Sequence, residues 1–153
     1  MDSDSLCLVD AQVVIDGYRY SFFDALVGGH AIALSGWVRT EVQFYKAPDG
    51  TRVPIVLDSL IQTGTVLVEH ATVLELTTVV SRISSRRLGR GELESLALVA
   101  ARGYWFCTAD QPAVRAMNQL GLLPRWMPLA ELYPEAMTAL PSVEAAKYQR
   151  AAV

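Results

Sequence analysis

The chain has 153 residues, 52% of them apolar and 19% charged, which fits one globular domain and excludes a disordered or fibrous chain. A chain of that size buries enough surface to need no disulfides, so Cys7 and Cys107, each inside a predicted strand, are expected as buried free thiols. The net charge of −3 excludes a strongly basic nucleic-acid binder, and no stretch has the ~18 uninterrupted apolar residues of a membrane span. The start, Met-Asp-Ser-Asp-Ser, is acidic and has no basic segment before an apolar run, so a cytoplasmic protein without a secretory signal is expected.

Residues 6–9 form a short apolar run, read as a strand buried on both faces and closed by Asp10. Residues 11–18 and 21–27 read as helical pieces, the second stopped by Gly28 and Gly29. Residues 30–34 are a second strand, and Ser35 or Gly36 opens a helix expected to run through Lys46. A turn at Pro48, Asp49 and Gly50 precedes a short helix over 55–61. Residues 65–68 are a third strand, 72–86 a longer helix, 92–102 another, 104–107 a fourth strand, and 112–120 a helix ended by Gly121. Strands alternating with helices in this way predict an α/β fold with a parallel sheet covered on both faces. Past residue 123 the pattern weakens: 126–132 reads as an edge strand or a helical turn, and 142–152 as a helix in a C-terminal extension.

Four acids hold the chemical interest. In parallel α/β sheets ligands bind beyond the carboxyl ends of the strands, where Asp10 and Asp110 both fall. Each is equally explained as a helix N-cap. Glu41 is different: at about 100° per residue it falls within the apolar stripe of Trp37, Val38, Val42 and Tyr45, which predicts a carboxylate directed inward. Such a group costs several kcal/mol unless a cation pairs with it, either a metal ion or an arginine. Glu92 and Glu94 flank the stripe of Leu93, Leu96, Ala97 and Ala100, about 200° apart, and periodicity does not decide between them.

Carboxylates ~5 Å apart repel by about 3 kcal/mol per pair at an effective dielectric near 20, so four converging acids call for a cation or raised pKa values. Oxygen ligands select Mg²⁺ or Mn²⁺. His30 and His70 stand alone and make no zinc set, and no Gly-rich phosphate loop is present. Without the four acids, 12 acidic residues stand against 13 basic ones, a balance compatible with RNA. Eleven of the basic residues are arginine, which suits phosphate through its planar fork, although codon bias yields the same composition.

Three stretches, LVDAQVVI, WVRTEV and GELESLALVAARGYWFCTAD, together resemble the PIN-domain nucleases in order and spacing, over roughly residues 6–123. The resemblance implies a three-layer α/β/α domain with a central parallel sheet of four or five strands, spanning 1–153 as one unit with 124–153 as its extension. It implies Mg²⁺- or Mn²⁺-dependent endoribonuclease activity, with the metal-binding acids on Asp10, Glu41, Glu94 and Asp110, Glu92 as an accessory, and Thr108 orienting water or an acid. Gln12 stands where Asn or Ser is frequent in that family, and with Arg86, Arg87 and Arg90 it is expected to contact substrate. Those arginines, with Arg82, are otherwise a solvated helix face. Many small members are toxins paired with an antitoxin, so RNA, an antitoxin and a second copy of the chain are the expected partners.

Other classes fit less well. A haloacid-dehalogenase-type phosphatase needs a second Asp where Gln12 stands. A response-regulator receiver needs a phosphoacceptor Asp ending a central strand and a lysine ending a later one, whereas residues 66–68 lead into Glu69 and His70. A catalytically inactive module that binds RNA or protein is the alternative from a different class, and metal-dependent cleavage separates the two.

Overall fold

The computed structural model describes residues 5–84 and 87–150. Four strands, β1 (Cys7–Val9), β2 (Ile32–Ser35), β5 (Val66–Glu69) and β6 (Trp105–Cys107), form a parallel sheet in the order β5-β2-β1-β6. In register, Cys7 faces Ile32 on one side and Trp105 on the other, and Val9 faces Cys107. Successive residues of a strand point to opposite faces, so the sheet feeds two cores. Cys7, Val9, Ile32, Leu34 and Cys107 pack against α1 (Ala11–Arg19), α2 (Phe23–Gly29) and the C-terminal segment. Leu8, Ala33 and Phe106 pack instead against α6 (Arg90–Arg102) and α7 (Gln111–Gln119). The result is the expected three-layer α/β/α fold. Trp126 adds a single parallel bridge to Phe106, the beginning of an edge beyond β6. Among the described residues no helix is long and apolar enough to cross a membrane.

Three elements ahead of α6 depart from the sequence reading, and the helix expected over 142–152 ends at Lys147. The helix expected through Lys46 is only α3 (Gly36–Glu41). It gives way at Val42 to extended backbone, and β3 (Phe44–Lys46) pairs antiparallel with β4 (Arg52–Pro54) across the turn at Gly50, whose φ is +87°. The β-branched and aromatic residues Val42, Phe44 and Tyr45 carry this preference for strand. The short helix sits later than expected, as α4 (Asp58–Gln62), because Ile55 extends the hairpin by donating its N–H to the Gln43 carbonyl at 2.9 Å.

The third departure is α5 (Val73–Val80), which stops well short of residue 86. Its start is fixed by a reciprocal cap between Thr72 and Glu75. Towards its end, the hydroxyls of Thr77, Thr78 and Ser81 turn back onto preceding carbonyls, a competition that weakens helices. After the sheet come α8 (Leu129–Leu132), α9 (Ala136–Ala139) and α10 (Ser142–Lys147). Tyr148, just past α10, is buried against α1, where its hydroxyl hydrogen-bonds the buried Asp16 carboxylate.

Candidate functional site

The carboxyl ends of β1 and β6 meet at one point of the sheet. Asp10 follows β1 and donates its N–H to the Cys107 carbonyl at 3.0 Å, so the two strand ends are bonded to each other. Thr108, fully buried, then bridges the two acids. Its hydroxyl donates to Asp10 Oδ2 at 2.7 Å and accepts the Asp110 N–H at 3.1 Å. Both aspartates are also helix caps: Asp10 Oδ1 accepts from the Ala11 N–H at 2.8 Å and Asp110 Oδ2 from the Ala113 N–H at 3.0 Å. Capping and a place on the cleft wall therefore coexist: the cap takes up one oxygen of each aspartate, and both residues line the cleft.

The opposite wall comes from α3 and α6. Ser35 caps α3, accepting the Val38 N–H at 3.1 Å, and its hydroxyl also reaches the Gly91 carbonyl at 3.4 Å. Glu41 Oε1 accepts the Gly91 N–H at 3.1 Å. Gly91 is needed for this approach: a Cβ there would lie 2.8 Å from Val38 Cγ2 and 2.9 Å from Glu41 Oε1. Glu41 is not directed into the core, as its helical stripe predicted. It is exposed at the end of α3, because the helix stops there and Tyr45 belongs to a strand.

Glu92 and Glu94 part company. Glu94 is buried, with Oε1 accepting the Trp37 N–H at 2.9 Å and Oε2 the Ala71 N–H at 3.1 Å. It fastens the first turn of α3 and the segment after β5 onto α6, and it does not line the cleft. Glu92 does. Its Oε1 accepts the Gly89 N–H at 3.1 Å, while Oε2 is buried without a hydrogen-bond partner. Geometrically the two positions are exchanged relative to the expectation: Glu92 stands with Asp10, Glu41 and Asp110, and Glu94 is a structural carboxylate.

The cleft they form has a volume of about 540 Å³ and is completed by Gln12, Gln111, Lys147 and the small residues Ala11 and Ala109. Its electrostatics are strained in one direction. Burial, then the neighbouring Asp110 carboxyl, then the Asp10 charge push the Glu92 carboxyl up to about 9. Burial also raises Asp10, against the hydrogen bonds from Thr108 and Ala11, with the charges of Asp110 and Glu41 adding to the rise. Among the described residues no three His, Cys, Asp or Glu groups are drawn together closely enough to hold a metal ion as they stand. The donor set still fits a hard divalent cation: it consists of carboxylate oxygens, one of them buried and unpaired, and a cation would relieve the raised acids.

The remaining expected contacts scatter. Gln12 lines the cleft, but its Nε2 donates to Asp16 Oδ1 at 2.9 Å. The Arg90 guanidinium lies over the Trp37 ring, 4.8 Å from its centroid. Arg87 lines a separate recess, and Arg86 lies outside the described residues. Lys147 was not anticipated; it comes from the far end of the chain, and nothing local in its sequence ties it to the acids. Its ammonium meets Glu144 at 3.2 Å.

No protein-family model and no curated protein sequence matches the chain.

Proposed function

We propose that this protein is a metal-dependent ribonuclease that uses Mg²⁺ or Mn²⁺ to hydrolyse phosphodiester bonds in RNA. The observation that carries this reading is the convergence of Asp10, Glu41, Glu92 and Asp110 on one open cleft, with a Glu92 oxygen buried and unpaired. These four acids would hold the ion. A divalent cation supplies acidification of water and charge neutralisation at a phosphate.

The residues themselves do the positioning. Thr108 ties the Asp10 carboxylate to the Asp110 backbone N–H, and the Gly91 N–H holds Glu41 at the rim. Without metal, Glu92 keeps its proton at neutral pH, which lets the acids share the cleft. Lys147 stands on the wall as a cation able to meet a phosphate oxygen. Hydrolysis adds the water oxygen to phosphorus and returns a proton to the departing sugar oxygen. Association with an antitoxin or a second copy belongs to the same proposal; the exposed Val73 and Leu74 of α5 offer an apolar contact.

The spread of the acids favours one competing reading, a module that binds RNA or protein without cutting. End-labelled single-stranded RNA incubated with Mn²⁺, Mg²⁺ or EDTA separates the two. Cleavage is expected only with metal, and at least about 100-fold slower in Asp10→Asn, the scale of losing one transition-state stabiliser. Folded wild-type protein that leaves several RNAs intact with either metal would replace the nuclease by the binding module.

A further inference from the structure

Beside the acidic cleft lies a second recess of opposite character. Its volume is about 280 Å³, and its wall includes Arg87, Arg115, Ser84 and Gln119 but no Asp or Glu. Pro112, Arg115, Ala116 and Gln119 recur at helical spacing along one face of α7, whose N-cap Asp110 and first residue Gln111 line the acidic cleft. Leu88, two residues before α6, lines the recess, and Glu92 in the first turn of α6 lines the cleft. The two depressions therefore meet at the head of α7, from which the recess runs along that helix to Gln119.

The arginines of the recess are also distinct in their state. Apart from Arg82, every other described arginine lies over an aromatic ring or within ion-pair distance of a carboxylate. Arg87 and Arg115 do neither among the described residues, and both are exposed. Two exposed arginines on the wall of one recess that has no acid among its described residues, with a serine and a glutamine beside them, suit a phosphate group in charge and in donor chemistry.

We propose that this recess is a phosphodiester subsite, in which Arg87 and Arg115 hold a backbone phosphate of a single-stranded nucleic acid whose next segment crosses the acidic cleft. The position beside a scissile bond rests on the nuclease reading; the binding of the backbone phosphate does not. The arrangement divides labour between the depressions. The arginines supply affinity without repelling a cation, and the acids supply a cation site without having to attract the strand.

The test is fluorescence anisotropy of a short fluorescein-labelled single-stranded RNA, in EDTA and over a salt series. Proteins compared are the wild type, the R87Q/R115Q double variant and the R87K/R115K double variant. The glutamine pair is expected to bind about tenfold more weakly, with the slope of log affinity against log salt reduced by about 0.7 for each phosphate released. The lysine pair is expected to restore most of the slope, which a purely structural role for these exposed side chains would not produce. Unchanged affinity and slope in the glutamine pair, with its melting temperature intact, overturns the subsite. Displacement of the RNA by inorganic phosphate at concentrations where it matches RNA phosphate also overturns it, in favour of a free-phosphate site. Because no metal is present, a loss of binding in a protein that never cleaves RNA leaves the subsite standing and removes only the nuclease. Metal-dependent cleavage with unaltered binding does the reverse.

Discussion

Glu92 and Glu94 sit two residues apart on α6, and their surroundings are opposite. Glu94 has both oxygens taken up by backbone N–H groups of two different segments. Glu92 has one oxygen on the Gly89 N–H and one left over in a cleft of like charges. A buried carboxylate with its hydrogen bonds filled has spent its capacity on holding the fold. One with a lone pair unfilled, in company that raises its pKa, has capacity left for a ligand. Asp16, buried and held by Gln12 and Tyr148, belongs with Glu94. The partner list separates Glu92 from Glu94 and Asp16, whereas Asp10, whose two oxygens are also taken, belongs with Glu92 by its place on the cleft wall.

The comparison makes graded predictions. The largest effect is expected from Glu94→Ala, which strands the Trp37 and Ala71 N–H groups and should cost about 3 kcal/mol. Urea denaturation measures this, and an equal loss in Glu92→Ala would erase the distinction. Tyr148→Phe removes one bond from Asp16 and should cost about 1 kcal/mol. A melting temperature unmoved by that change would mean that the tail is not fastened to α1 through this pair.

The mildest change in shape is Glu92→Gln, which removes a titrating group and little else. Its signature lies in the pH profile. The folded Glu92 carboxyl titrates at about 9 against an ordinary 4.5, so the folded state binds this proton more tightly than the unfolded chain. The stability it contributes is complete below the unfolded value and is lost as pH rises through the folded one. In EDTA, the wild-type melting temperature should therefore decline between about pH 5 and pH 9. Glu92→Gln should flatten that decline, and a variant with the wild-type slope would assign the proton to another group.

Much of this was legible in the sequence. Strands with apolar residues facing both ways announce themselves as short runs such as residues 6–9, and the acids that end them mark the carboxyl edge of the sheet. The β3–β4 hairpin was hidden, because Val42 to Lys46 continues a plausible helical stripe and its strand preference is only a local bias. Glu41 reaches the cleft for a reason its stripe does not hold: the helix ends where it stands, and the Gly91 N–H takes its carboxylate. The choice between Glu92 and Glu94 was not available, since α6 is buried on most sides from Ser95 to Val99 and has no single apolar face against which to measure either residue. Lys147 depends on where a distant tail comes to rest, and the pairing of Tyr148 with Asp16 that places it leaves no periodic trace.

The cysteines turn the sheet into its own clock. Cys7 and Cys107 lie on the neighbouring strands β1 and β6, both fully enclosed. Burial pushes the Cys7 thiol up to about 12 and holds Cys107 well above its usual range, so neither presents a thiolate to solvent in the native state. A thiol reagent can then react only in molecules whose covering layer of α1, α2 and the C-terminal segment has lifted or whose strands have parted. Under mild conditions, the labelling rate reports how often the centre of the domain opens, with no denaturant and no introduced probe. The same two strands lead into Asp10 and Asp110, so any ion that bridges those acids should slow the clock.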